Sequence, residues 1–264
     1  MPAIQIERLN EQIRSILDSK LPADLFLESL RSFLEVHRNR AFRPGLEVQN
    51  AHPIDSYQLS PVIKQQLQLH IIQLAKSSPD LTIEYADLIW KQPHIEMKEI
   101  AAVIIGALPI TYSASAFERI SKWGENENVV VVRKILFDKG TITLRQHNIN
   151  EWIEKIKIWL ESGNNSKITA GLIAVQVIIN DHQFENLPVI FNMVHPLFDI
   201  QNEPAMNALL GVIKILSLRS PHETFYLLRS LTLNEPTKRR NRFIRRCFAY
   251  LSPVQQKELR KLMA

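Results

Sequence analysis

The stretch Trp90-Lys-Gln-Pro-His-Ile-Glu-Met-Lys-Glu99, which leads into the apolar run from Ile100, decides the fold of this chain. A tryptophan closes one helical pattern, a short polar loop follows, and a new apolar helix begins. The phrase returns at Trp123 before Val129 and at Trp159 before Ile168, so the tryptophans are spaced 33 and 36 residues apart. A period of this size predicts a stack of helical hairpins.

Apolar periodicity and helix-start signals extend this pattern over most of the chain. The segment 149–161 is the clearest, with Ile149, Ile153, Ile156 and Leu160 on one helical face. Ser-Pro pairs at 60–61, 220–221 and 252–253 each offer a serine cap followed by proline at the first helical position. First helices of successive pairs are predicted near 60, 95, 127, 166, 204 and 239, and second helices near 80, 113, 149, 186, 222 and 254. The prediction is an all-α, HEAT-like helical-repeat solenoid of about six helix pairs.

Two regions are less regular. Residues 1–59 are predicted to form an N-terminal helical cap and a connecting loop, and residues 60–264 one continuous solenoid. The cap contains two amphipathic helices, marked by Ile6, Leu9, Ile13, Ile16 and Leu17 and by Leu25, Leu27, Leu30, Phe33 and Leu34. The stretch 129–144 favours strand by propensity, but its repeat register predicts a helix over Val129–Asp138.

Composition excludes several classes of function. The single cysteine, Cys247, allows neither a disulfide within the chain nor a cysteine-based zinc cluster, and the 7 glycines leave little room for phosphate loops. The motifs of dinucleotide-binding folds, P-loop proteins, α/β-hydrolases and zinc metalloproteases are absent from the sequence. We therefore expect no cofactor and no metal. Without an apolar leader or an 18-residue apolar run, a cytoplasmic protein with no membrane partner is expected.

The strongest charged feature is a basic cluster near the end of the chain. Six of nine consecutive residues are basic, namely Lys238, Arg239, Arg240, Arg242, Arg245 and Arg246. Guanidinium groups along a helix can bind phosphates, and counterion release then drives the affinity. The alternative is a solvated face of the last repeat. A smaller basic group comprises His37, Arg38, Arg40 and Arg43.

The tryptophans Trp90, Trp123 and Trp159 recur in phase, which favours a role in packing the repeats. The functional alternative is that one or two of them project into a groove and stack on bases or a sugar.

The passage from Leu88 to Gly106 resembles a repeat of the DNA alkylation repair family. That family's repeat has an apolar-Trp helix end, a short loop, Glu-x-Arg/Lys and an alanine-containing helix. Trp90, Glu96, Lys98 and Ala101 match this outline. The resemblance implies a HEAT-like solenoid that binds DNA.

Catalytic members of that family are glycosylases that excise cationic alkylated bases with an aspartate set between aromatic residues. The family pattern places a tryptophan four residues before the aspartate. The nearest match is Trp123 followed by Glu127, a glutamate in a predicted loop, and Lys167-Ile168-Thr169 stands where basic residues are expected. No catalytic residue is therefore assigned, and Glu127 with Trp123 is the alternative site.

Three hypotheses follow. The first is a HEAT-like solenoid that binds DNA through the basic cluster. The second is a non-enzymatic scaffold that binds a protein partner along a concave face. The third is a DNA glycosylase that uses Glu127 and Trp123.

Overall fold

The chain is all-helical in the ranges described by the computed structural model, which are residues 5–17, 21–39, 54–234 and 236–263. Within these ranges there are fifteen α-helices and no strand, and short 3-10 turns occur at Ile110–Tyr112, His195–Asp199 and Phe248–Tyr250. The helices are α1 Ile6–Ile16, α2 Ala23–Val36, α3 Pro61–Ser77, α4 Pro79–Trp90, α5 Ile95–Ala107, α6 Ser113–Asn126, α7 Val130–Gly140, α8 Ile142–His147, α9 Ile149–Glu161, α10 Asn165–Asn180, α11 Leu187–Val194, α12 Glu203–Arg219, α13 Pro221–Asn234, α14 Lys238–Cys247 and α15 Pro253–Leu262. The predicted all-α class is confirmed.

The predicted helix positions are confirmed between residues 60 and 263. The first helices of the pairs begin at 61, 95, 130, 165, 203 and 238, and the second helices at 79, 113, 149, 187, 221 and 253. Ser60 accepts a hydrogen bond from the Ile63 N–H, and Ser252 forms a capping box with Gln255. These two serine caps and their N1 prolines are as expected, whereas the Ser220 hydroxyl donates to the Glu223 carboxylate at 2.6 Å.

Two local features differ from the expectations. The strand-prone residues after Gly140 form the short helix α8, because the Thr141 hydroxyl bonds the Phe137 carbonyl and Leu144 is buried. In α2 the buried face includes Phe26 rather than Leu25, which is half exposed. The ring of Phe26 stacks on Tyr85 of α4 at 3.9 Å between centroids, and this contact sets the rotation of α2.

The described chain separates into two compact units, Met1–Trp152 and Ile153–Ala264, and the division falls within α9. In the first unit α1, α3, α5 and α7 pack in succession as one row, while α2 and α4 pack beside them. In the second unit α10, α12 and α14 form a row, and α13 packs against α12, α14 and α15. Each unit therefore contains two layers of helices around its own apolar core.

The rows depend on small residues where helices approach each other most closely. Gly106 of α5 lies against α7, where an added Cβ would stand 1.8 Å from the Lys139 carbonyl oxygen. At Gly140, the last residue of α7, the nearest atom to an added Cβ is a Leu136 methyl at 3.4 Å. Of these two positions, only Gly106 forbids a side chain.

We expect Gly106→Ala to lower the free energy of unfolding by about 3 kcal/mol, because the methyl group meets backbone that cannot rotate away. Gly140→Ala is the matched control, with stability unchanged or raised by up to about 1 kcal/mol. Urea unfolding followed by circular dichroism measures both. Equal stabilities for the two variants would contradict the close approach of α5 and α7.

Candidate functional site

The basic cluster forms helix α14, which has two different faces. Thr237 caps the helix by accepting from the Arg240 N–H at 3.1 Å. Phe243, Ile244 and Cys247 are buried on one face, against the rest of the second unit. The basic side chains leave from the remaining surface of the helix. The predicted amphipathic helix is therefore present.

Three of the six cluster residues are held by groups of the same unit. Arg240 pairs with the Asp199 carboxylate at 2.5 Å, and only 13% of its side chain is exposed. Arg239 donates to the Asp199 carbonyl oxygen at 3.1 Å. Arg246 donates to the Asn207 amide oxygen at 2.7 Å and lies 3.5 Å from the Glu203 carboxylate. These three side chains are therefore engaged within the protein, and Arg240 has the close carboxylate partner.

The other three residues, Lys238, Arg242 and Arg245, are exposed. Among the described residues no hydrogen bond or ion pair holds their side chains. We refer to these three residues as the basic face. The Arg260 guanidinium stands 5.4 Å from the centre of the Phe248 ring, which follows directly after α14.

The smaller basic group is less complete. Arg38 pairs with Glu35 on the surface at 3.5 Å. Burial lowers the pKa of His37, which disfavours its charged form near neutral pH. Arg40 and Arg43 lie outside the described residues.

A second candidate site surrounds the predicted tryptophan pair. The rings of Trp90 and Trp123 stack on each other, with centroids 4.5 Å apart and planes within 4° of parallel. Both side chains are more than nine-tenths buried. Beside them lies a cavity of about 520 Å³, the tryptophan cavity, lined by Asp87, Trp90, Lys91, Lys98, Glu118, Arg119, Lys122, Trp123, Asn126 and Glu127. The packing role predicted for these tryptophans is confirmed by their burial.

Four of the charged groups of the tryptophan cavity form two ion pairs. Arg119 binds Asp87 through two nitrogens at 2.8–3.1 Å. Lys98 places its Nζ 3.8 Å from Glu127, 2.5 Å from the Trp90 carbonyl oxygen and 4.5 Å from the Trp90 ring centre. Burial lowers the pKa of Lys98, and the Glu127 charge offsets part of this effect.

The structure brings the alternative pair Glu127 and Trp123 to one cavity, but it gives Glu127 other bonds. One carboxylate oxygen accepts from the Val129 N–H at 2.9 Å, at the start of α7, where a negative charge is favourable. The other faces Lys98. A carboxylate already paired with an ammonium group stabilises a developing cation less well, and the Trp123 ring has Trp90 on one face. The bonds of Glu127 therefore stabilise the connection between α6 and α7.

The residues that carry the family resemblance have structural roles. Glu96 is 2% exposed and accepts from the Ser56 hydroxyl at 2.7 Å and from the Tyr57 and Gln58 N–H groups at 3.0 Å. It thereby ties the segment before α3 to the start of α5. Lys98 binds the end of α4, and Ala101 is buried in the core.

The described ranges give little support for thiol chemistry, for metal binding or for a membrane-spanning helix. Burial raises the pKa of the Cys247 thiol to about 12, so it remains protonated at neutral pH. Among the described residues, no group of three or more His, Cys, Asp or Glu side chains is arranged to hold a metal. In these same ranges no single helix is long and apolar enough to cross a membrane. The segments Ile95–Ala107 and Ile110–Asn126 reach that length and apolar character only when taken together, and the chain bends by 112° between them.

Comparison of the chain with protein-family models, curated proteins and solved structures gave no match. The resemblance to the alkylation repair family therefore stays a prediction.

Sequence reasoning missed the acidic partners of the basic cluster. Asp199 and Glu203 precede Arg240 and Arg246 by 41 and 43 residues, which is longer than the tryptophan spacing, so the spacing pattern did not indicate these pairs. Sequence reasoning also assigned no role to Arg119 and Asp87, which are 32 residues apart and form an ion pair.

We expect Lys98→Met to lower the free energy of unfolding by about 1–3 kcal/mol at neutral pH, because it leaves Glu127 and the Trp90 carbonyl without the ammonium group. The double variant Lys98→Met/Glu127→Gln should recover part of this loss, since no buried carboxylate is left uncompensated. Urea unfolding of the wild type, both single variants and the double variant measures the coupling. Strictly additive losses would show that the pair does not interact.

The same lysine gives a pH dependence with a defined sign. Because burial lowers the Lys98 pKa below the unfolded value of about 10.4, the unfolded chain binds more protons in the window between the two pKa values. The free energy of unfolding of the wild type, relative to Lys98→Met, should therefore rise as the pH is raised toward that value. Paired unfolding curves in alkaline buffers test this, and a falling difference would contradict the burial of the charge.

Proposed function

We propose that this chain binds duplex DNA through the basic face, Lys238, Arg242 and Arg245. The observation that carries the proposal is that these exposed side chains have no partner among the described residues, whereas their neighbours in the cluster do. Cations on a well-anchored helix that are not neutralised internally can displace the counterions of a phosphate backbone. Such contacts position a protein on DNA without reading its sequence.

The proposed scaffold for this face is a HEAT-like helical-repeat solenoid. Interactions that recur at about one repeat length support it. Asp87 binds Arg119 and Ala208 binds Gln176, each pair separated by 32 residues, and Trp90 stacks on Trp123. Equivalent positions in successive hairpins therefore touch, which is the packing rule of repeat proteins.

The proposed activity is DNA binding without base excision, in a protein that resembles the DNA alkylation repair family. The pairing of Glu127 with Lys98 supports the non-catalytic form, because it neutralises the carboxylate that excision would require. A cytoplasmic location is part of the proposal and rests on the sequence alone.

Fluorescence anisotropy with a labelled duplex at several salt concentrations tests the proposal. Arg242→Ala/Arg245→Ala should weaken binding and flatten the plot of log affinity against log salt, by about 1 for each phosphate that the protein no longer neutralises. The matched control is Arg8→Ala/Arg14→Ala, which removes the same charge from exposed positions of α1. This control should leave the slope unchanged.

A substitution that is expected to strengthen duplex binding provides a second test of the proposal. Asp199→Asn keeps the shape of the side chain but removes the charge that holds Arg240. It should tighten duplex binding and steepen the salt dependence. Wild-type protein that does not bind the duplex, or slopes that change equally in the α1 control, would overturn the proposal and favour the scaffold hypothesis.

A further inference from the structure

A second depression in the first unit has a chemistry unlike that of the tryptophan cavity. It is a groove of about 690 Å³ between α3, the end of α5, the start of the 3-10 helix Ile110–Tyr112, the end of α7, and α8. We refer to it as the apolar groove. Its lining residues are Gln68, Ile72, Lys76, Val103, Gly106, Ala107, Leu108, Pro109, Ile110, Lys139, Ile142, Thr143, Gln146 and His147. The volume lies in the range of small-molecule sites.

The floor of the apolar groove is hydrocarbon from four elements. Seven of the lining residues are apolar, and two of them present much of their side chain to solvent: Ile110 is 51% exposed and Ile142 38% exposed. Apolar area of this kind gains about 25 cal/mol for each Å² removed from water. A ligand with an aliphatic part would therefore be favoured here.

The Thr143 hydroxyl ties α8 to the backbone at the end of α5 beneath the groove. The Thr143 hydroxyl contacts the Gly106 and Leu108 carbonyl oxygens at 2.8 and 3.2 Å, which satisfies carbonyls at the end of α5. The absence of a side chain at Gly106 lets α5 and α7 meet, so the floor is held by backbone contact. The apolar groove is therefore preformed.

The ionisable residues of the lining are all basic. They are Lys76, Lys139 and His147, and no aspartate or glutamate is among the described residues that line the groove. Lys139 pairs with its neighbour Asp138 at 3.2 Å, but both are solvent-exposed, so this pair is weak and a ligand can compete for the ammonium group. No ion pair within the described part of the chain holds Lys76. The groove therefore combines an apolar floor with a cationic rim.

We propose that the apolar groove binds a small amphipathic anion, namely an aliphatic carboxylate. The hydrocarbon tail lies on the floor formed around Ile72, Ile110 and Ile142. The carboxylate accepts hydrogen bonds from the ammonium groups of Lys76 and Lys139. This site is separate from the basic face, and its occupancy does not depend on DNA binding.

Isothermal titration calorimetry on the full chain tests the proposal with octanoate and octanamide as probes. The two probes share the tail and the planar head, and only octanoate is charged. Octanoate should bind about tenfold or more tightly than octanamide, the ratio expected for one charge-assisted contact. Equal affinities, or no octanoate binding, would overturn the proposal.

Substitutions at the rim and on the floor separate the two parts of the site. Lys76→Gln/Lys139→Gln should reduce octanoate affinity to that of octanamide and leave octanamide unchanged. Ile110→Asp and Ile142→Asp, at exposed positions, should weaken both probes, while Lys134→Gln, an exposed residue of α7 outside the lining, should change neither. Thermal unfolding of each variant confirms that it is folded. Octanoate affinity unaffected by the rim substitutions would assign the binding to another surface and overturn the proposal.

Discussion

The carbonyl groups at the C-terminal ends of the helices impose the constraint on which the rest of the structure depends. These groups have no partner within their own helix, and a glycine with positive φ, a common solution, occurs in the described ranges only at Gly163. In this protein, long basic side chains donate hydrogen bonds to these carbonyl groups instead. Lys98 donates to the Trp90 carbonyl, Arg133 to the Gly124 carbonyl, and Arg219 to the Ile179 carbonyl. Each of these bonds joins one helix to an earlier helix, so capping and packing are the same interaction.

This use of cations changes the meaning of the net charge of +5. A lysine or arginine that holds a carbonyl or a carboxylate is part of the framework, and its side chain is already engaged within the protein. Arg145 is a further example, since it donates to the Phe137 and Asp138 carbonyl oxygens beside α8. Net charge therefore does not show where a polyanion could bind, and the basic side chains without internal partners are the ones to consider.

The helices could be predicted because their signals are local. Serine-proline pairs and the spacing of apolar residues act within one or two turns, and they located the starts of the helices after residue 60 to within about three residues. The partners of charged groups could not be predicted with the same methods. Asp199 meets Arg240 only after two helices have packed, and the rotation of α2 that buries Phe26 depends on Tyr85, which is far away in the sequence. The apolar groove is formed by several elements, and none of its residues has a sequence motif.

The stacked tryptophans also give the first unit an optical signature. Two parallel indole rings with centroids 4.5 Å apart couple their electronic transitions, and Trp90 and Trp123 supply these rings from α4 and α6. The coupled signal arises only while the two helices are in register. The chain thus contains an intrinsic spectroscopic reporter of one helix–helix contact, which responds to the separation of α4 from α6.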